Sequence, residues 1–124
     1  MMKFKEFSFV SYAITDLKRS RDFYEGVLGL EASSVFGGNG YAFVEYEIGP
    51  DTLAIGMGSS NFTPGKMGAT VALEFDGDFD VALKELERKN VKILMERYDG
   101  PSCTMVLIED PDGNQIMVHK RKKK

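Results

Sequence analysis

The chain has one cysteine, one histidine and no apolar stretch near the ~20 residues that a membrane-spanning helix needs. Cys103 has no partner for an internal disulfide, which fits a reducing compartment. No basic segment leads into an apolar run at the start, so no secretion signal is expected and a cytoplasmic location is implied. Neither a GxSxG elbow nor a phosphate-cradling glycine loop occurs. Cys103 follows Pro101-Ser102 with no histidine beside it, so an incidental thiol is expected rather than a nucleophile.

What remains is ordinary globular material. The 124 residues fit one domain with a real core. The net charge of −3 hides an asymmetry, because Lys120 to Lys124 hold five of the 16 basic side chains. The other 119 residues carry 11 basic and 19 acidic groups, a balance of −8. Such a body disfavours nucleic acid and tolerates cationic ligands, while the Lys-rich tail reads as a solvated, frayed terminus.

Period-two alternation predicts a strand over Phe7 to Ile14. Thr15-Asp16 offers a helix cap, apolar residues recur at helical spacing from Leu17 to Leu28, and Gly29 offers a stop. A glycine-rich turn, Gly37 to Gly40, precedes strands over Tyr41 to Ile48 and Thr52 to Met57, joined at Gly49-Pro50-Asp51. Gly58 to Gly68 reads as a linker. The order then returns. A strand over Ala69 to Phe75 and the turn Asp76-Gly77-Asp78 lead to a helix over Phe79 to Lys89, closed by Asn90. Strands follow over Val91 to Tyr98, Thr104 to Glu109 and Gln115 to His119, with a tight turn at Asp110-Pro111-Asp112-Gly113-Asn114. Strand, helix and three strands, twice over, is an internal repeat of element order.

Two segments carry a family likeness. The run from Val10 to Leu30, with Asp16, Phe23-Tyr24 and Leu28-Gly29, resembles the first module of the glyoxalase, bleomycin-resistance and extradiol-dioxygenase superfamily, the vicinal oxygen chelate proteins. Asp110 to Asn114 resembles that family's closing turn. The resemblance implies an α+β fold of tandem βαβββ modules, about 5–58 and 68–119, forming an open, curved mixed sheet with backing helices. It also implies a homodimer.

Metal-using relatives hold their ion with His, Glu or Gln on four strand positions. By the resemblance these fall at Phe9, within Thr52 to Gly56, at Thr70 and at Met117. None of the residues there is His, Glu, Gln or Asp, so no metal and no cofactor are expected. The implied activity is metal-independent binding of a small molecule, of the drug-sequestering kind, rather than catalysis. The candidate ligand residues are Phe9, Tyr41, Phe43, Glu45, Thr70, Glu74, Tyr98, Met105, Met117 and His119. A one-residue shift would exchange Tyr41, Phe43 and Glu45 for Ala42, Val44 and Tyr46. The alternative is a metal-dependent lyase or isomerase like glyoxalase I, with an atypical site built on His119 and acidic residues.

Overall fold

A computed structural model of the protein describes residues 2–58, 63–65 and 68–122. The expected linker therefore lies largely outside the described residues, as do the last two lysines. The chain divides into two compact units, Met1–Pro64 and Gly65–Lys124. Each contains a strand, a helix and three strands, and each forms its own open, four-stranded mixed sheet, as the α+β reading expects.

In the first unit β1 (Val10–Ala13) is followed by α1 (Leu17–Arg21), β2 (Ala32–Gly38), β3 (Tyr41–Ile48) and β4 (Asp51–Met57), in sheet order β1-β4-β3-β2. β1 lies parallel to β4 and the other pairs are antiparallel. Asp16 caps α1, its Oδ1 accepting the Arg19 N–H at 2.9 Å. Beyond Arg21 the helix widens. Asp22–Val27 takes i→i+5 bonding, the Leu28 N–H reaches the Phe23 carbonyl at 3.1 Å, and Gly29 ends the segment at φ 73°. The register puts Tyr12, Val44, Tyr46, Leu53 and Ile55 on one buried face. Tyr24 stacks on Tyr46 at 6.0 Å between ring centroids, which seats the helix on that face. The Tyr46 hydroxyl donates to Glu25 at 2.9 Å, and Glu25 also accepts from Arg21 at 2.6 Å. Burial, then that carboxylate, push the Tyr46 phenol well above its ordinary value.

Strand β2 is not announced by its sequence, Ala-Ser-Ser-Val-Phe-Gly-Gly, which has little alternation. Partners supply what propensity does not. A ladder to β3 with a bulge near Ser33 holds it, and the Ser33 and Ser34 hydroxyls donate to Glu47 and Glu45 at 2.8 and 2.7 Å. The strand consumes Gly37 and Gly38, so the turn shrinks to Asn39-Gly40, both at positive φ (41° and 80°), as a two-residue hairpin loop requires.

The second unit contains β5 (Val71–Glu74), α2 (Phe79–Arg88), β6 (Lys92–Asp99), β7 (Cys103–Glu109) and β8 (Gln115–Arg121), in sheet order β5-β8-β7-β6. Asp78 caps α2 and Asn90, at φ 56°, follows its end. Val106, Ile108, Ile116 and Val118 share a buried face, while α2 buries Phe79, Ala82 and Leu86. Arg97 ties β6 to α2, lying over the Phe79 ring at 5.5 Å and pairing with Asp80. The described start of the basic tail, Lys120 to Lys122, is better ordered than expected. β8 runs on to Arg121, Lys120 donates to the Gly77 carbonyl, and the Lys122 N–H reaches the Ser102 carbonyl at 2.9 Å. The first strand, by contrast, begins at Val10 rather than Phe7, because the 86 % exposed Phe7 has no ladder to join.

The turn between β7 and β8 is a closed hydrogen-bonded unit. Buried Asp110 accepts at Oδ1 from the backbone N–H groups of Asp112 and Asn114 (2.9 and 2.8 Å) and at Oδ2 from the Asn114 amide (2.9 Å). Gly113 supplies the positive φ of 86°. Asp110→Ala leaves three donors without their acceptor and is expected to cost about 2–3 kcal/mol, read as a lower urea midpoint at unchanged slope. Asp112→Ala, which keeps those bonds, is expected to stay within about 0.5 kcal/mol of wild type.

Candidate functional site

A strand turns alternate side chains to opposite faces, and each sheet has spent one face on its helix. The candidate residues that lie within strands stand on the faces left over.

In the first unit Tyr41, Phe43 and Glu45 share the face turned away from the helix. Ala42, Val44 and Tyr46 are the buried set, which settles the one-residue ambiguity. Phe9, just before β1, meets Phe43 edge to face at 5.6 Å and 76°. Phe43 pairs with Gly56 across β4 and with Phe36 across β2. Its ring lies so close over Gly56 that a Cβ there would be 2.9 Å from Cδ1. Phe36, 57 % exposed, belongs with this group and escapes sequence reasoning because β2 itself does. Glu45 is held by Ser34 at 2.7 Å.

In the second unit the pairs Glu74↔His119, Met105↔His119, Leu107↔Met117 and Tyr98↔Met105 place Glu74, Tyr98, Met105, Met117 and His119 on one face, opposite the buried one. Leu107 and Met95 join them, and the alternation of β7 around Met105 was the available signal for Leu107. Thr70 precedes β5 and stands outside the ladder, exposed. His119 Nδ1 lies 2.7 Å from Glu74 Oε1, and Glu74 Oε2 accepts the Arg121 N–H at 2.7 Å. That backbone hydrogen bond, and then the imidazole, hold the Glu74 carboxyl below its ordinary value, so it is ionised at neutral pH.

The residues at the four positions implied for metal ligands do not fit a divalent ion. Phe9 and Met117 offer no hard donor, Ala54 and Gly56 have no functional group, and the Phe43 ring covers Gly56. The Thr52 hydroxyl is committed to Glu47 at 2.7 Å. Among the described residues no group of three or more His, Cys, Asp and Glu converges as a metal cage would. Nor, among them, is any helix long and apolar enough to cross a membrane.

Comparison with known proteins adds to this geometry. The model of the Glyoxalase/Bleomycin resistance protein/Dioxygenase superfamily matches residues 7–118. No curated protein matches the sequence. Among solved structures, TnmS3, an antibiotic-binding protein from Streptomyces sp. CB03234, is 19% identical with a TM-score of 0.81, covering 98% of this chain and 100% of its own. An integron cassette protein from the mobile metagenome of V. cholerae is 25% identical with a TM-score of 0.73, covering 97% and 98%. Leishmania major glyoxalase I, described as trypanothione-dependent, is 20% identical with a TM-score of 0.76, covering 94% and 86%. The first and third likenesses show a shared fold.

The clasp of Glu74 on the end of β8 has a measurable consequence. A carboxyl whose folded value is lowered stabilises the native state above its unfolded value of about 4.3, and that contribution is lost as pH falls through the folded value. Glu74→Gln is therefore expected to flatten the stability profile below about pH 4. Glu74→Ala is expected to speed hydrogen exchange at the Arg121 amide about tenfold, and an unchanged Arg121 rate would refute the clasp.

Proposed function

The chain belongs to the Glyoxalase/Bleomycin resistance protein/Dioxygenase superfamily, and from that membership we propose that it is a small-molecule-binding protein that works without a metal. The two units are taken as modules of one domain, and each has a helix-free face that carries candidate ligand residues. One observation carries the reading. At the positions that the family resemblance implies for metal ligands, this chain has a phenylalanine, small residues and a methionine, with Phe43 closing over Gly56. Flat aromatic and thioether surface suits a planar, largely apolar ligand, with stacking and sulfur–aromatic contacts of about 0.5–1.5 kcal/mol each. The acidic body and the carboxylates of Glu45 and Glu74 favour a ligand that is neutral or cationic over an anion.

The purified protein is expected to contain no stoichiometric divalent metal. Saturation with a planar polycyclic ligand at ~100 times its Kd is expected to add about 2.7 kcal/mol of stability and raise Tm by several degrees. Met117→Ala is expected to weaken that ligand about five- to twentyfold. Bound zinc or nickel at one per chain, with a lyase or isomerase activity removed by chelation, would replace this reading with the enzymatic one.

The proposal includes a homodimer, which the exposed Met2, Phe4 and Phe7 support, since isolated chains rarely leave so much large apolar surface in water. Sedimentation at micromolar concentration is expected to give twice the mass of 13.8 kDa; a monomer there would remove this part of the reading.

A further inference from the structure

The face of the second sheet that carries Tyr98, Met105, Leu107 and Met117 holds one built polar pair at its middle, with the Lys92–Glu109 ion pair and Gln115 toward one end and Arg121 toward the other. Glu74 has both carboxylate oxygens engaged, one by His119 Nδ1 and one by the Arg121 N–H, each at 2.7 Å. An ionised carboxylate accepts and cannot donate, so Nδ1 must carry the imidazole proton. In the neutral ring that leaves Nε2 as a lone-pair acceptor, and among the described residues it has no partner. The ring is held from below by β5 and flanked by Met105 across β7 and Met117 along β8, with 21 % of the side chain exposed. A histidine fixed in one tautomer by a carboxylate, opening onto thioether and aromatic surface, is arranged to receive a hydrogen bond rather than to stay solvated.

We propose that His119 Nε2 is the polar anchor of the ligand face, accepting a hydrogen bond from a hydroxyl on a planar aromatic ligand, with Glu74 as the residue that positions the ring. The ligand class is therefore hydroxylated aromatics: the flat body lies on Met105, Met117 and Tyr98, and the hydroxyl points at Nε2. This deepens the binding reading and rests on it. The pair also makes the site directional. A ligand of identical shape whose hydroxyl is capped loses its donor and leaves Nε2 desolvated without a partner, which costs more than the hydrogen bond alone contributes.

The test uses the full chain and two matched probes, 2-naphthol and 2-methoxynaphthalene, titrated by calorimetry. Wild type is expected to prefer the naphthol by about tenfold or more, and His119→Phe is expected to remove that preference. Both probes binding wild type equally would overturn the anchor while leaving the apolar-face reading intact, and so would a preference that survives in His119→Phe. Neither probe binding would overturn both. A second measurement needs no ligand and no variant of His119. Because the chain has one histidine, the ¹⁵N spectrum of the imidazole is assigned without ambiguity. A protonated Nδ1 and an unprotonated Nε2 are expected in the neutral ring, and Glu74→Ala is expected to give a mixture of tautomers. A proton on Nε2 in wild type would overturn the proposal.

Discussion

A β-sheet has two faces, and one short helix can cover only one of them. That constraint organises each unit of this protein. The strands of the first unit turn Tyr12, Val44, Tyr46, Leu53 and Ile55 toward the helix, and those of the second turn Val106, Ile108, Ile116 and Val118 toward theirs. Each such side chain contributes about 1.5–3 kcal/mol when fully buried, so the helix-covered face fixes the register of every strand in its sheet. Once register is fixed, the composition of the opposite face follows with no further freedom. Phe9, Phe36, Phe43 and Glu45 stand together because Val44 and Tyr46 are buried. Met105, Met117 and His119 stand together because Val106 and Val118 are.

The same logic gives the apolar character of the residues at the positions that the family resemblance implies for metal ligands. Here Phe43 packs over Gly56 and against Phe9, an arrangement that a side chain at 56 would break. The polar groups that persist are the ones with fixed partners of their own. Glu45 is tied to Ser34, Glu47 to Ser33 and Thr52, and Glu74 to His119 and the Arg121 amide. Buried or half-buried polar atoms that lack partners are costly, so those that remain are informative.

Much of this was legible in the sequence, and for physical reasons. Strands that bury one face must alternate, so β3, β7 and β8 declare themselves. Asp16, Asp78 and Asn90 mark helix ends through local chemistry that needs no tertiary context. The candidate residues Glu74, Tyr98, Met105, Met117 and His119 share one face because parity along a strand is readable once its boundaries are. What escaped depends on partners. β2 has serines and glycines where a strand wants branched side chains, and it exists because β3 and two glutamates hold it. The ordered start of the basic tail depends on Gly77, Glu74 and Ser102, none of them near it in sequence.

The widened helical segment from Asp22 to Val27 also escaped the pattern, since apolar spacing cannot separate 3.6 residues per turn from a slightly larger number. Its effect is one of aim. In a wider coil successive side chains rotate through a smaller angle, so three consecutive residues can address the same neighbour. Phe23 and Tyr24 are both buried, and Glu25, next in line, still reaches the Tyr46 hydroxyl. Regular α geometry would swing one of the three toward water. The irregular backbone thus lets a single short segment deliver an aromatic ring and the carboxylate after it to one tyrosine of the sheet, with the Phe23 ring packed behind on Tyr24.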